Sequence, residues 1–482
     1  MSIASEAAIQ RILEGPKGPK IGAFFDFDGT LIDGFSAAAY FTDRIKGGHM
    51  GAKEIVDTLK LARKKDLSDD EFAEIIGDGI MEWAGQSEEE LRNLWSRLWF
   101  DKVAPNMFPE MWKVIQAHKR MGHTIAVASS ATPYQIEPIA AEYGIEHILA
   151  TQPRIRNGKL TGGIIGKPLW GQGKANAVKA FAKDKKITLS KSYGYANGDE
   201  DIAFLQSVGC PSAVQPKPKL EALAIESEWP ILRFPPRKRG PAKAMARTVG
   251  AYAAMGATFL AGLGYAKATG ETRKAVDFIT AMSSDAAFAV LGVKAKVINR
   301  EGLNAHRPCV FLLNHQSKFD MFVMMHLVRT EFTGAAKIEA RKVPGFGRFM
   351  EMADVAFLDR SNSNKAIDAL KPAVDRLKKG LSLCIAPEGT RSWTPKLGPF
   401  KKGPFHLAMQ AGVPVVPVVI RNAGEIMGRN DQTMRSGTIH VAILDPIDVS
   451  DWTESNMVER IAEVRQKFVD TLENWPEEEE KA

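Results

Sequence analysis

Gly22-Ala-Phe-Phe-Asp26-Phe-Asp28-Gly29-Thr30-Leu-Ile32 is a short apolar run that ends in two carboxylates one residue apart. Its length and its Gly-containing boundary predict a buried strand. Open α/β sheets gather ligand-facing groups beyond the carboxyl ends of their strands, so Asp26 and Asp28 are expected at a site. The pair suits phosphoryl removal: Asp26 attacks phosphorus, and Asp28 protonates the leaving oxygen and then activates water. The same letters also describe an Asp-Gly turn that merely caps a strand, and three blocks further along the chain bear on the choice.

Gly122-His-Thr-Ile-Ala-Val-Ala-Ser129-Ser130 predicts a second strand ending in a hydroxyl able to bond a phosphoryl oxygen. Gly171-Gln-Gly-Lys174 opens a helix expected over Ala175 to Phe181 and brings an ammonium that can neutralise a transferring phosphoryl group. Tyr193-Gly-Tyr-Ala-Asn197-Gly-Asp199-Glu200-Asp201 ends another strand with oxygen ligands of the kind Mg2+ prefers. Four such blocks in this order, over roughly Ile21 to Pro216, resemble the haloacid dehalogenase superfamily, specifically its phosphoserine-phosphatase-like branch (subfamily IB). The resemblance implies a Rossmann-like fold with Asp26 as nucleophile and Asp28 as acid/base. It also implies Ser129 and Lys174 as phosphate contacts, and a magnesium shell of Asp26, the Asp28 carbonyl, Asn197 and Asp201. Asn197 departs from the family, which commonly has Asp there. An amide oxygen still ligates Mg2+ but removes a negative charge, and Asp199 and Glu200 either compensate or are simply solvated.

Between Asp33 and Met111 the pattern is helical. Ser68-Asp-Asp-Glu has N-cap character, and Glu82 to Trp95 combines acidic residues with apolar spacing. An insertion here predicts a helical cap, about 34–111, that excludes water and selects substrate. Trp83, Trp95, Leu98 and Trp99 read as the cap's own core.

A second set begins at Arg307-Pro-Cys-Val-Phe-Leu-Leu-Asn314-His315, a strand that delivers a histidine into a polar turn, with Asp320 just ahead of an apolar helix. This spacing lets Asp320 reach back to the imidazole, hold its tautomer and stabilise its cation, with His315 as general base. HxxxxD alone equally describes a helix N-cap with a local partner. Leu381-Ser-Leu-Cys-Ile-Ala-Pro-Glu388-Gly389-Thr390-Arg391 is a strand breaking into a loop whose arginine can grip a phosphate bidentately. Val355-Ala-Phe-Leu-Asp-Arg360 ends another strand, and Val413-Pro-Val-Val-Pro417 begins an apolar one after a helix expected near Gly403. Together, over roughly Lys294 to Val449, these blocks resemble the glycerolipid acyltransferases, in particular the 1-acylglycerol-3-phosphate acyltransferase family. The resemblance implies a His315/Asp320 dyad, acceptor-phosphate binding by Arg360, Gly389 and Arg391, and ordering of the loop or acceptor by Glu388. Lys337 and Lys401 are weaker candidates, since surface lysines need no such role. The implied reaction moves an acyl group from acyl-CoA or acyl-carrier protein to the 2-hydroxyl of lysophosphatidate. No acyl-enzyme is expected: Ser317 lies inside the turn, but nothing gives it the nucleophile's place.

The chain has 482 residues, enough for two or three cores, with 45% hydrophobic and 25% charged residues, an ordinary globular balance. Three scattered cysteines form no CxxC pair, so neither a disulfide framework nor a zinc site is expected. The first twenty residues lack a secretory pattern. Net charge is +7, but without a basic stripe interleaved with aromatics, so anionic lipid is the expected partner rather than nucleic acid. Part of the charge lies at a Pro/Gly-broken seam carrying Arg237, Lys238, Arg239, Lys243 and Arg247. After it, Thr248 to Ala266 contains no charged residue. It is long enough to span a bilayer, yet its Ala/Gly composition also suits an interfacial helix or one packed on protein.

The expected organisation is α/β throughout. A haloacid dehalogenase-like phosphatase domain (1–230) is followed by a basic linker (231–247), membrane-associating helices (248–293) and a glycerolipid acyltransferase domain (294–482). The expected location is the cytoplasmic face of the membrane, whether peripheral, monotopic or single-span. Asn197 leaves open a weaker alternative, in which the first domain regulates or docks rather than hydrolyses.

Overall fold

The Gly22–Phe25 run forms strand β1, with all four residues buried, at the middle of a six-stranded sheet. The computed structural model describes residues 3–48, 50, 69–234, 242–342, 346–358 and 371–476. Arg360, Ser68 and the basic stretch 237–239 lie outside the described residues, as does the side chain of Lys337. The chain divides into two units, Met1–Arg239 and Gly240–Ala482.

In the first unit, β1 is joined by β2 (Thr124–Ser129), β3 (His147–Ala150), β6 (Tyr193–Ala196), β7 (Cys210–Val214) and β8 (Ile231–Leu232) in the order β3-β2-β1-β6-β7-β8, all parallel. This is the Rossmann-like α/β arrangement. Phe25 pairs with Val127 on one side and Tyr195 on the other, so the residues at or just beyond three strand ends, Asp26, Ser129 and Asn197, emerge at one edge. Helices Ser36–Lys46, Asp69–Met81 and Glu88–Leu98 make the cap. The last starts at a capping box: Ser87 N donates to Glu90 Oε2 (2.6 Å), and Glu90 N donates to Ser87 Oγ (3.2 Å). Leu91, Trp95 and Leu98, on one face, bury against Ile80, Trp83, Tyr134 and Leu160, so these aromatics are a core. A hairpin of β4 (Pro153–Arg156) and β5 (Lys159–Ile164) was not anticipated. Its turn, Asn157-Gly158, with φ of 51° and 73°, is the two-residue turn that an Asn-Gly pair favours.

The second unit is a seven-stranded sheet of β9 (Val293–Ile298), β10 (Val310–Leu313), β11 (Phe332–Lys337), β12 (Ala356–Leu358), β13 (Ser382–Ile385), β14 (Val415–Ile420) and β15 (Gly437–Ile443). Its order is β12-β11-β13-β10-β14-β15-β9, and only β14 and β15 pair antiparallel. Alternation along β10 sends Phe311 and Leu313 into one apolar cluster and Val310 and Leu312 into another, so both sheet faces are covered. Two helices, Ala242–Thr269 and Thr272–Leu291, form a hairpin ahead of β9. They approach closely because Gly262 has no side chain: a Cβ there would stand 2.2 Å from Ile279 Cγ1. The second helix is fixed to the sheet domain at both ends. Arg273 donates to the Phe332 carbonyl (3.1 Å), and Phe288 stacks on His326 at 4.2 Å. The first is tied at its start by Met434 N donating to Thr248 Oγ1 (2.8 Å), yet only 11% of its apolar window is buried. The 248–266 segment thus packs along one partner helix and leaves most of its surface exposed.

Candidate functional sites

Asp26 leaves β1 with its backbone N–H donated to the Tyr195 carbonyl (2.9 Å), which aims its buried carboxylate past the sheet edge. Lys174 is in the first turn of a helix that runs Gln172–Asp184, three residues earlier than expected at its start. Its buried ammonium donates to Asp26 Oδ1 at 2.8 Å and to Asp201 Oδ1 at 2.5 Å. Thr30 Oγ1 donates to Asp26 Oδ2 (3.3 Å) and lies 3.5 Å from Asn197 Oδ1. Asp28 turns the other way, its two oxygens accepting Ser36 N (2.7 Å) and Ser36 Oγ (3.1 Å) at the start of the cap. Ser36 is steadied in turn by Gln135 Nε2 (3.2 Å). Ser129, buried at the end of β2, accepts Ala131 N through Oγ (3.2 Å).

Burial raises Asp26 to about 7 against the pull of Lys174, with Asp201 adding to the rise. Burial also raises Asp28 to about 6, although the Ser36 donors oppose it, bringing this carboxyl nearer neutrality, where a proton-transfer group works best. For Lys174, burial acts downward but is outweighed by Asp201 and Asp26, so it stays protonated above the ordinary lysine value.

Of the expected magnesium shell, Asp26 and Asp201 meet at the Lys174 ammonium, and Thr30 Oγ1 lies between Asp26 Oδ2 and Asn197 Oδ1; oxygen donors of this kind suit a hard divalent cation. Among the described residues no trio of His, Cys, Asp or Glu gathers as a metal site. Asp199 and Glu200 are already employed. Asp199 Oδ1 accepts Leu220 N (2.8 Å), and Glu200 pairs with Lys217 (3.0 Å), so neither carboxylate is simply solvated. Replacing Lys174 with Met should destabilise the first unit by about 3–5 kcal/mol near pH 7, because two buried carboxylates lose their shared cation. The loss should shrink toward pH 5, where Asp26, which burial raises to about 7, has taken up a proton. Denaturant unfolding of the full chain at both pH values checks this.

In the second unit, Asn314 prolongs β10 by side chain, donating to the Ile420 carbonyl (2.8 Å) and accepting Ile420 N (2.7 Å). This fixes where His315 leaves the sheet. Asp320, fully buried in the first turn of the Phe319–Val328 helix, accepts three N–H groups at Oδ2: His315 Nδ1 (2.8 Å), Gln316 N (2.8 Å) and Ser317 N (2.9 Å). A carboxylate only accepts, so His315 carries its proton on Nδ1 and keeps a lone pair on Nε2. A quarter of the His315 side chain is accessible. Ser317 Oγ donates to the Met427 carbonyl (2.5 Å) and accepts Phe319 N (2.9 Å), a structural use.

The loop after β13 is built onto the same turn. Buried Glu388 accepts His315 N at Oε1 and Gly398 N at Oε2, both at 2.7 Å, and burial raises its pKa despite these donors. Ser392 N donates to the His315 carbonyl (2.8 Å). Gly389, at φ 70°, would place a Cβ 2.9 Å from Lys401 Nζ, so its lack of a side chain lets Lys401 close over the loop. Arg391 is half-buried and donates Nη1 to the Arg429 carbonyl. The expected residues His315, Asp320, Glu388, Gly389 and Arg391 thus occupy one neighbourhood. Ser36 and Gln135 in the first unit, and Lys318 and Arg429 in the second, escaped sequence reading. Their partners lie on other elements, and no spacing announces them, except that Lys318 stands inside the HxxxxD turn itself.

Two family models match the chain: "haloacid dehalogenase-like hydrolase" over residues 23–206 and "Acyltransferase" over 294–421. A 1-acyl-sn-glycerol-3-phosphate acyltransferase of Saccharomyces cerevisiae is 39% identical over 186 residues, 38% of this chain and 61% of the relative. An uncharacterized acyltransferase of Schizosaccharomyces pombe is 34% identical over 189 residues, 39% of this chain and 68% of the relative. The chain therefore spans less than two thirds of the Saccharomyces relative's length. The crystal structure of the 1-acyl-sn-glycerophosphate acyltransferase PlsC of Thermotoga maritima aligns at 25% identity, covering 49% of this chain and 98% of that one with a TM-score of 0.43. The chain belongs to the acyltransferase family through its second unit, and ahead of it residues 23–206 match the haloacid dehalogenase-like hydrolase model.

Proposed function

We propose that the second unit transfers an acyl group from a thioester, carried by coenzyme A or acyl-carrier protein, to the 2-hydroxyl of lysophosphatidate, giving phosphatidate. The observation that carries this reading is the 2.8 Å His315–Asp320 bond on a turn that Ser392 joins to the Arg391 loop, which puts a general base beside a phosphate grip. His315 Nε2 takes the hydroxyl proton as that oxygen bonds to the acyl carbon. The carbon–sulfur bond breaks, and the proton passes from Nε2 to the leaving sulfur. Arg391, with Arg360 and Gly389, binds the acceptor phosphate, and Glu388 orders the loop rather than touching the acceptor. The Saccharomyces relative's name supports the substrate class. Conversion of labelled lysophosphatidate by the purified full chain, with each thioester, tests it; no product with either donor would refute it.

The first unit is proposed to hydrolyse a phosphomonoester. Asp26 attacks phosphorus, forming an aspartyl-phosphate, while Asp28 protonates the departing alkoxide and then takes a proton from the attacking water. Lys174 and Ser129 contact the phosphoryl oxygens. Mg2+ held by Asp26, Asp201, Asn197 and the Asp28 carbonyl would offset the phosphate's negative charge. A panel of phosphoserine and lipid phosphates, assayed with and without Mg2+, tests both substrate and metal. Phosphate release from none would leave the regulatory or docking alternative for this domain.

The helical hairpin is proposed to lie in the membrane interface, on the cytoplasmic face. At about 1.5 Å per residue its first helix could cross a bilayer. It nonetheless runs along a partner helix fixed to the sheet domain at both ends, so a crossing would drag that domain into lipid. Met245, Val249, Tyr252 and Leu260 expose their side chains, as do Phe278 and Met282 on the second helix, which suits monotopic burial. Lys243 and Arg247, with the basic stretch before them, would add about 1 kcal/mol each on anionic headgroups. Flotation with vesicles containing anionic lipid should show binding at low salt that weakens at high salt. Indifference to vesicles at low salt would refute the membrane assignment.

A further inference from the structure

The Asp28 carboxylate ends a hydrogen-bond chain whose direction is forced at every step. Gln135 stands in the first turn of the helix Pro133–Tyr143 and reaches back to its N-cap residue, so Oε1 accepts both Thr132 N and Thr132 Oγ1, each at 2.8 Å. With the oxygen end of the amide engaged twice, the Nε2 end donates to Ser36 Oγ (3.2 Å). That bond occupies an acceptor position of the Ser36 hydroxyl and leaves its proton for Asp28 Oδ2 (3.1 Å), while Ser36 N donates to Oδ1 (2.7 Å). Ser36 and Thr132, at the two ends of the Gln135 bridge, are both buried. Capping the helix requires only the contact with Thr132, which a glutamate would serve as well. The bond to Ser36 needs a donor, and so needs the amide. The chain starts three residues beyond Ser129, the expected phosphate contact at the end of β2, and passes through the first residue of the cap helix Ser36–Lys46. Asp26 has different partners, Lys174 and Thr30. In-line displacement puts the leaving oxygen on the far side of phosphorus from the attacking group, so an acid held toward the cap suits it.

We propose that Gln135 is a positioning residue for the first unit's hydrolysis: acting through Ser36, it fixes the Asp28 carboxyl where it meets the leaving oxygen. The inference rests on the phosphomonoesterase reading for the reaction itself. As an Asp26 oxygen bonds to phosphorus and the ester P–O bond breaks, the electron pair of that bond goes to the leaving oxygen, which takes the proton of the neutral Asp28 carboxyl. Asp28 is left as a carboxylate already faced by the two Ser36 donors. Each of its oxygens keeps a further lone pair for the proton to leave from and, in the next step, to be taken up from water.

Gln135→Glu reverses the chain while sparing the helix start. The new carboxylate still accepts the Thr132 donors, but no N–H remains for Ser36 Oγ, whose proton turns to that carboxylate instead of Asp28. In the full chain, kcat/KM should fall by roughly 10- to 100-fold for phosphoserine or lysophosphatidate, whichever the wild type hydrolyses, because an alkoxide leaves only with a proton. For p-nitrophenyl phosphate, whose phenolate leaves unprotonated, the fall should be under about 3-fold. kcat/KM covers the steps through release of the alcohol and excludes hydrolysis of the aspartyl-phosphate, in which the two substrates do not differ. Ser36→Ala should show the same selectivity, and adding Gln135→Glu to it should lower kcat/KM no further, since Gln135 acts through Ser36. Equal loss with both substrates, no loss with either, or additive losses in the double variant would overturn the proposal while leaving the phosphatase reading in place. If the wild type releases phosphate from none of the three probes, the phosphatase reading fails, and crystal structures of wild type and Gln135→Glu decide the positioning. Asp28 parted from Ser36 Oγ in the variant alone would uphold it; the bond kept in both would overturn it.

Discussion

Acyl transfer by the His315→Ala protein is expected to fall by on the order of 10³-fold or more, with phosphate release unchanged. His315 Nε2 is the one basic atom that the dyad leaves facing the acceptor, since Nδ1 is spent on Asp320. Removing it leaves the hydroxyl without a proton acceptor, while the phosphate grip stays in place. KM for lysophosphatidate should therefore change little while kcat collapses. Asp320→Asn refines the result. Its carbonyl should take the place of Oδ2, because an amide nitrogen there would face two backbone N–H groups, from Gln316 and Ser317. The tautomer of His315 is then preserved and only the carboxylate's charge is lost. The fall should be smaller than for His315→Ala, and it measures how far that charge stabilises the imidazolium. Steady-state kinetics on both variants check the order. A kcat loss greater in Asp320→Asn than in His315→Ala would contradict the assignment of His315 as base.

The complementary experiment is Asp26→Asn, which should abolish phosphate release by more than about 10⁴-fold while sparing acyl transfer, because the amide is no nucleophile. The substitution keeps size and leaves an oxygen for Lys174, so circular dichroism and thermal unfolding should remain close to wild type. Trapping of radiolabel from a phosphomonoester on the wild-type chain, but not on Asp26→Asn, would locate the covalent step. Label retained by the variant would place the nucleophile elsewhere. Because each substitution is read on both activities, the pair also shows whether the two chemistries run independently.

Much of the molecule was legible in the sequence because both sites are laid out by strand ends. Asp26 and His315 come after short apolar runs, and periodicity finds such runs, so the α/β class and the positions of the two turns proposed as catalytic could be read directly. The cap core was readable for the same reason: of Trp83, Trp95, Leu98 and Trp99, the first three share one buried cluster and Trp99 is buried as well. What escaped depends on contacts across the fold. The Ser36 bond to Asp28, the occupation of Asp199 by Leu220 N and the Arg391–Arg429 exchange join residues that no local pattern connects. The Asn157-Gly158 hairpin was different, since its turn signal was present and simply not used. The helical hairpin was ambiguous from composition, because alanine and glycine serve close helix packing as well as lipid. Gly262 against Ile279 shows the packing use, and the exposed outer face is the part that the proposed membrane contact would use.

The turn bearing His315 is stapled by bonds from Glu388, Ser392 and Met427, which lie 73, 77 and 110 residues away in the chain. Closing loops of that length is slow relative to forming local helices, and none of these staples exists until β10, β13 and β14 have found one another. The proposed acyl-transfer centre is thus expected to be a late product of folding. In a refolding time course, secondary structure should return first and activity last, and amide exchange at His315 and Ser392 should report global rather than local opening.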